Sequence, residues 1–204
     1  MEPVSGEVGS LSRDVQGEAT RRQRLKEATS DAHRRLDKSL MQRGYFSNPE
    51  GFGLYLRRMY QFHLKFDNAA LTAGRDWYEA WGLHRHKDWI ETDLKKVSIG
   101  PMAKPEIVPA DTLRVADRSS LAGALYVIAG SSLGARVLHR LTVEHQLPAP
   151  SGSYYLSQLA ASVRWSEFLA FLEDADIACE TAMLEGAIST FACVSRHLDP
   201  AVPE

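Results

Sequence analysis

Residues 119–145 read SSLAGALYVIAGSSLGARVLHRLTVEH, the longest helical pattern in the chain. It ends at Leu147-Pro-Ala-Pro-Ser-Gly152, where the prolines cannot continue a helix. Working outward, Arg22–Met41 predicts an amphipathic helix, with Leu25, Thr29, Ala32, Leu36 and Leu40 in one stripe. Ser47-Asn48-Pro49 predicts a helix start, with Asn48 as N-cap and Pro49 in the first position. The helix that follows runs from about Glu50 to Leu71 and carries Tyr55, Met59, Phe62 and Phe66 at helical spacing. Trp77–Trp81 is a short aromatic stretch, and His84–Val97 a further helix. A loop holds Gly100, Pro101, Pro105 and Pro109, and Leu113–Ala116 reads as a helical turn or an extended piece. Tyr154–Val163, Trp165–Leu172 and Asp174–Leu198 complete the helices. No alternating run followed by a hairpin turn occurs. The pattern predicts an all-α fold, seven or eight helices in one bundle-like domain over 21–199, with a disordered tail at 1–20 and a short tail at 200–204.

The 204 residues, 44% hydrophobic and 25% charged, suffice for one sizeable core. The net charge of −2 argues against a globally basic nucleic-acid binder. The nearest approach to a membrane span, Leu121–Leu138, is interrupted by Ser131, Ser132 and Arg136. The first residues, MEPVSGEVGSLSRD, contain no apolar secretory core. Cys179 and Cys193 fall on one predicted helix, about 21 Å apart by helical rise, too far to bridge. These features predict a cytoplasmic protein with no nucleic-acid partner and no membrane span.

Two helices depart from the ordinary. Residues 119–145 include Gly123, Gly130 and Gly134, each costing about 1 kcal/mol relative to alanine in a helix interior. Either a second helix packs closely on Gly130-x-x-x-Gly134, or a large flat ligand lies against bare backbone and the helix bends there. In the first helix, with Leu25 at zero and about 100° per residue, Leu36 falls near 20°, Leu40 near 60°, His33 near 80°, Lys26 near 100° and Asp37 near 120°. His33 and Asp37 are i, i+4 neighbours, either a surface pair or a carboxylate fixing an imidazole that binds a metal.

Leu25-Lys26-Glu27-Ala28-Thr29-Ser30-Asp31-Ala32-His33 resembles the proximal-helix motif of heme oxygenases, L-[KR]-E-A-T-x-x-x-H. Leu125-Tyr126-Val127-Ile128-Ala129-Gly130-Ser131-Ser132-Leu133-Gly134-Ala135 resembles their distal helix in its bacterial, biliverdin-producing form, and Trp89-Ile90-Glu91-Thr92-Asp93-Leu94 is similar to their mid-chain helix. The likeness spans about residues 22–198. It implies a heme oxygenase fold in which His33 is the axial iron ligand and Asp37 its acidic neighbour. It further implies that Gly130 and Gly134 cover the distal heme face, with Gly130, Ser131 and Gly134 as the catalytic set. Lys26 and Tyr126 match propionate contacts, and Phe191 matches an aromatic of the pocket wall. Arg164 is a further propionate candidate. Mammalian-type members carry Asp where this chain has Ser131, and many bacterial ones carry Glu where it has Ala129.

The implied activity is oxygen- and reductant-dependent cleavage of heme, both substrate and cofactor, to biliverdin, carbon monoxide and ferrous iron. The implied partners are heme, molecular oxygen, an external ferredoxin or flavin reductase, and a bilin-accepting protein. No nucleotide-binding loop is present in the sequence. A non-catalytic heme carrier or sensor on the same scaffold is the alternative. A di-iron carboxylate oxidase is disfavoured, since none of the seven histidines follows Glu by three residues. His84-x-His86 reads as solvated, because i and i+2 point apart on a helix. Arg34-Arg35 and Arg57-Arg58 read as solvated pairs that could also face propionates or an acidic redox partner, and Trp77 and Trp81 as core or rim aromatics.

Overall fold

Each helix begins where a side chain satisfies its free backbone amides. Thr20 and Gln23 cap each other reciprocally at the start of α1 (Arg21–Gln42). The Asn48 carboxamide oxygen accepts from the Gly51 amide at 2.8 Å and starts α2 (Pro49–Ala80). Asp117 and Ser120 form the same reciprocal cap at α4 (Arg118–Glu144). A 3-10 turn at Leu83–Arg85 leads into α3 (His86–Leu94), and α5 (Tyr154–Ser162), α6 (Trp165–Asp174) and α7 (Glu180–Leu198) follow. The computed structural model describes residues 19–97 and 113–199, and among these every regular element is helical. The remainder of the expected N-terminal tail, the C-terminal tail and the proline-bearing loop lie outside the described residues.

Several boundaries differ from expectation. α2 runs on to Ala80 and takes in Trp77. The expected end near Leu71 reflects a local break at Gly74 (φ 178°, ψ 76°), after which helical geometry resumes. A Cβ at Gly74 would stand 2.8 Å from Leu121 Cδ2, so α2 and α4 meet closely there. α7 starts at Glu180 rather than Asp174, and Cys179 is its N-cap instead of a helical residue. Leu113–Ala116 carries no helix. α4 is a single helix without interior departures from helical geometry.

α4 packs on α7, α5, α2 and α6, and α1 packs on α7 and α6. The core joins Leu25 of α1, Phe62 and Phe66 of α2, Leu121 and Leu125 of α4, Phe168 of α6 and Met183 of α7, all at most 1% exposed. By length and composition α4 could also cross a membrane, yet 56% of its most apolar stretch is buried within the domain. Asp93, fully buried, ties α3 to α5. It accepts from Ser153 Oγ (2.6 Å) and from the Tyr154 and Tyr155 amides (3.0 and 2.9 Å), the free donors of the α5 N-terminus.

Candidate functional site

α1 is fixed to α7 at both ends. At its start, Arg21 Nη1 donates to the carbonyls of Leu172, Glu173 and Ala175 (2.9, 2.9 and 2.7 Å), and Arg21 Nε pairs with Glu180 at 2.6 Å. At its end, Ser39 Oγ donates to Asp199 (3.0 Å) and Arg43 pairs with the same carboxylate. The two helices therefore run in the same direction, and His33, midway along α1, meets Phe191 of α7. Their ring centroids are 5.8 Å apart, edge to face.

His33 Nδ1 lies 3.0 Å from Asp37 Oδ2, and the two side chains are 61% and 62% exposed. With its proton held on Nδ1 by the carboxylate, the imidazole presents Nε2 as an electron-pair donor. Lys26 is exposed two turns earlier on α1.

The glycines divide into two kinds. A Cβ at Gly123 would stand 1.8 Å from the Met183 carbonyl oxygen, and one at Gly186 would stand 2.0 Å from the Ser120 carbonyl oxygen. These two glycines let α4 and α7 touch backbone to backbone. Gly130 and Gly134 play no such part among the described residues. A Cβ at Gly130 would meet only the Trp165 ring, at 3.5 Å, and one at Gly134 meets nothing within 4 Å. Helix packing therefore explains Gly123 and not Gly130-x-x-x-Gly134. Tyr126, Gly130, Leu133, Gly134 and Val137 recur at helical spacing along one face of α4. Leu133 and Val137 there are 44% and 60% exposed. Leu133, Gly134 and Val137 face solvent, while Tyr126 and Gly130 are half-buried.

Tyr126 sits at one end of this face. Burial pushes its hydroxyl pKa up, and the Arg22 guanidinium on α1 draws it part of the way back. Ser131 Oγ donates to the Ile128 carbonyl at 2.6 Å, so its hydrogen is already engaged. Arg164 is held by Glu167 at 2.9 Å on the surface. Trp165, in sequence no more than the start of a helix, stacks on Phe168 (5.7 Å, 14°) and lies against Tyr126 (5.5 Å). The sequence signal for it was an aromatic at the first position of a short helix, which is weak. A cavity of about 410 Å³ further along α1 is lined by Arg35, Lys38, Ser39, Gln42, Arg43 and Asp199, and none of the site residues above borders it.

A neutral imidazole oriented by a carboxylate is the kind of donor a heme iron takes. His33 offers an exposed, carboxylate-oriented imidazole, α4 offers an apolar strip whose glycines carry no side chain, and α7 and α6 bridge the two helices. No model of a known protein family matches the chain, and no curated protein matches it.

Two other expectations are corrected. His84 is exposed, but His86 is buried rather than solvated, because the turn at Leu83–Arg85 rotates it inward against His63 (ring centroids 4.9 Å) and Trp89. Arg58 is half-buried rather than solvated. It donates to the Tyr45 hydroxyl (2.6 Å) and the Leu198 carbonyl (2.8 Å), closing the C-terminal end of α7.

Burial pulls the His86 pKa down to about 3, with His84 adding to the effect, and burial also holds His63 well below its usual value. Between pH 6.5 and about 3 the unfolded chain binds a proton at His86 that the folded chain refuses. Stability present above pH 6.5 is therefore lost as pH falls, by about 1.4 kcal/mol per pH unit for this residue. Urea unfolding at pH 7.5 and pH 5 should show His86→Phe losing less stability over that interval than wild type. Equal losses would mean that His86 is not held neutral by burial.

Proposed function

We propose that the protein is a heme oxygenase, cleaving heme to biliverdin, carbon monoxide and ferrous iron with oxygen and electrons from an external ferredoxin or flavin reductase. The observation that carries this reading is an exposed, Asp37-oriented His33 on α1 together with a glycine-bearing apolar strip on α4, touched by Trp165 of α6 at Gly130 and open at Gly134. Heme supplies both the redox-active iron and the macrocycle that is opened.

The residues of the chain do the rest. His33 Nε2 would hold the iron, with Asp37 keeping the proton on Nδ1 so that the neutral imidazole is the donor. Gly134 carries no side chain and would leave space for a small molecule on this face of α4, with the Trp165 ring against Gly130. Lys26 and Tyr126 would hold the propionates. Phe191 supports the imidazole from α7 and sets its plane.

The Ser131 hydroxyl hydrogen is bound to a backbone carbonyl, and Ala129 is fully buried. The same two residues favour the second reading, a heme carrier or sensor without turnover. Adding ascorbate or a ferredoxin system to the hemin complex separates the two: biliverdin formation marks the enzyme, and an unchanged heme band marks the carrier.

Gly130→Leu and Gly134→Leu give a sharper test. A leucine at Gly130 gains about 1 kcal/mol in helix propensity but must displace the Trp165 ring, 3.5 Å from the Cβ position, whereas nothing stands within 4 Å at Gly134, so Gly134→Leu is the variant that should stay folded and bind hemin. Its side chain would project into the distal space, and biliverdin yield should fall at least tenfold. Full biliverdin production by both Gly130→Leu and Gly134→Leu would remove the distal role from α4.

A further inference from the structure

We propose that the buried pair His63–His86 is an acid-sensitive latch that fastens α3 to α2, so that α3 opens at mildly acidic pH while α4 and α7 stay packed. His63 lies in α2, and His86 is the first residue of α3. They are 2% and 1% exposed, and their rings meet edge to face with centroids 4.9 Å apart. Among the described residues neither nitrogen of His86 has a hydrogen-bond partner, nor does Nδ1 of His63. His63 Nε2 lies 3.5 Å from the Tyr155 hydroxyl of α5. Two imidazoles so placed are tolerated while both are neutral, because a buried charge without a partner is costly.

The groups that face the pair offer an imidazolium no counter-charge. Lys87 on α3 is a cation, and His84 in the 3-10 turn and His197 on α7 (with Lys65 beside it) add positive charge on protonation. Asp67, one turn after His63 on α2, already pairs with Lys87 at 2.9 Å and accepts from the Tyr78 hydroxyl. Asp93 on α3 is taken up by the N-terminus of α5. Burial keeps Tyr155, and the Tyr55 that faces it, uncharged. Phe62 and Trp89 supply the remaining ring contacts. Burial accordingly holds His86 down at about 3 and His63 well below its usual value, so protons enter when the α2–α3 seam opens. The seam is therefore closed above pH 6.5 and loses its hold as pH falls below it. The opening is local because α3 packs chiefly on α2, α5 and the 3-10 turn. α4 and α7 are joined instead at Gly123 and Gly186, through backbone contacts that protonation does not touch.

The test is amide hydrogen exchange of the full chain at pH 7.5 and pH 5, each rate divided by the intrinsic rate at that pH. A group with a folded pKa of about 3 and an open-state value near 6.5 raises the opening constant about 30-fold over that interval. Amides of 89–94 should therefore exchange about 30-fold faster at pH 5 than at pH 7.5. At pH 5 they should also exchange at least about tenfold faster than amides of 121–132 and 183–194, as a local opening requires. His86→Phe, which keeps a ring between His63 and Trp89, should flatten the rise at least about fivefold. If that variant does not fold, the wild-type comparison decides alone. Equal normalised rates in the three segments at pH 5 would overturn the latch, since α3 would then open only with the whole domain. A rise left intact in His86→Phe would overturn its assignment to this pair.

Discussion

Gly123→Ala is expected to cost the apoprotein at least about 3 kcal/mol, and so to abolish or nearly abolish folding at 37 °C. The added methyl would stand 1.8 Å from the Met183 carbonyl oxygen and 2.9 Å from the Ala187 amide nitrogen. Both are backbone atoms of the first half of α7, so no rotamer change relieves the clash and the two helices must separate. Separation exposes the shared core around Leu121, Leu125 and Met183. The control is Gly134→Ala, where the methyl meets nothing within 4 Å and helix propensity gains about 1 kcal/mol. Urea denaturation of the pair should give shifts of opposite sign. Destabilisation of similar size by both would mean that the two glycines are not of different kinds.

The second large effect is at His33. His33→Ala should lose the native heme spectrum and lower biliverdin formation more than about 100-fold, beyond what removing an outer-shell partner of a metal ligand costs. The side chain is 61% exposed and its ring contact to Phe191 is peripheral, so the apoprotein should lose no more than about 1 kcal/mol. Added imidazole should restore part of the spectrum. Wild-type spectrum and turnover in the variant would mean that His33 is not the ligand.

Much of this was legible in the sequence because helical periodicity is strong where one face is apolar. Leu25, Thr29 and Leu40 of α1, and Tyr55, Met59, Phe62 and Phe66 of α2, are buried as their spacing predicts. The Asn48-Pro49 start is also as read. The end of α2 was misread because Gly74 interrupts the helix without ending it, and a single glycine looks the same in either case. The start of α7 was misread because Cys179 caps through its thiol, donated to by the Ala182 amide at 3.4 Å, and cysteine is not among the usual caps.

At the candidate site, the i, i+4 spacing predicted the His33–Asp37 pair. Which glycines serve packing and which do not could not be read, since Gly123, Gly130 and Gly134 share one helix and only the position of α7 separates them. Trp165 was missed for the same reason. Its relevance lies in its contacts with Tyr126 and Gly130, about forty residues earlier, and no local pattern records them.

The central claim is that this helical domain binds heme between His33 and the glycine strip of α4 and degrades it. The most direct measurement is the absorption spectrum of the protein titrated with hemin and then reduced in air. A one-to-one complex with a heme band abolished by His33→Ala, followed by decay of that band and release of biliverdin, is the predicted result. Hemin that binds without a defined stoichiometry, with the same spectrum in wild type and His33→Ala and no biliverdin on reduction, would contradict it.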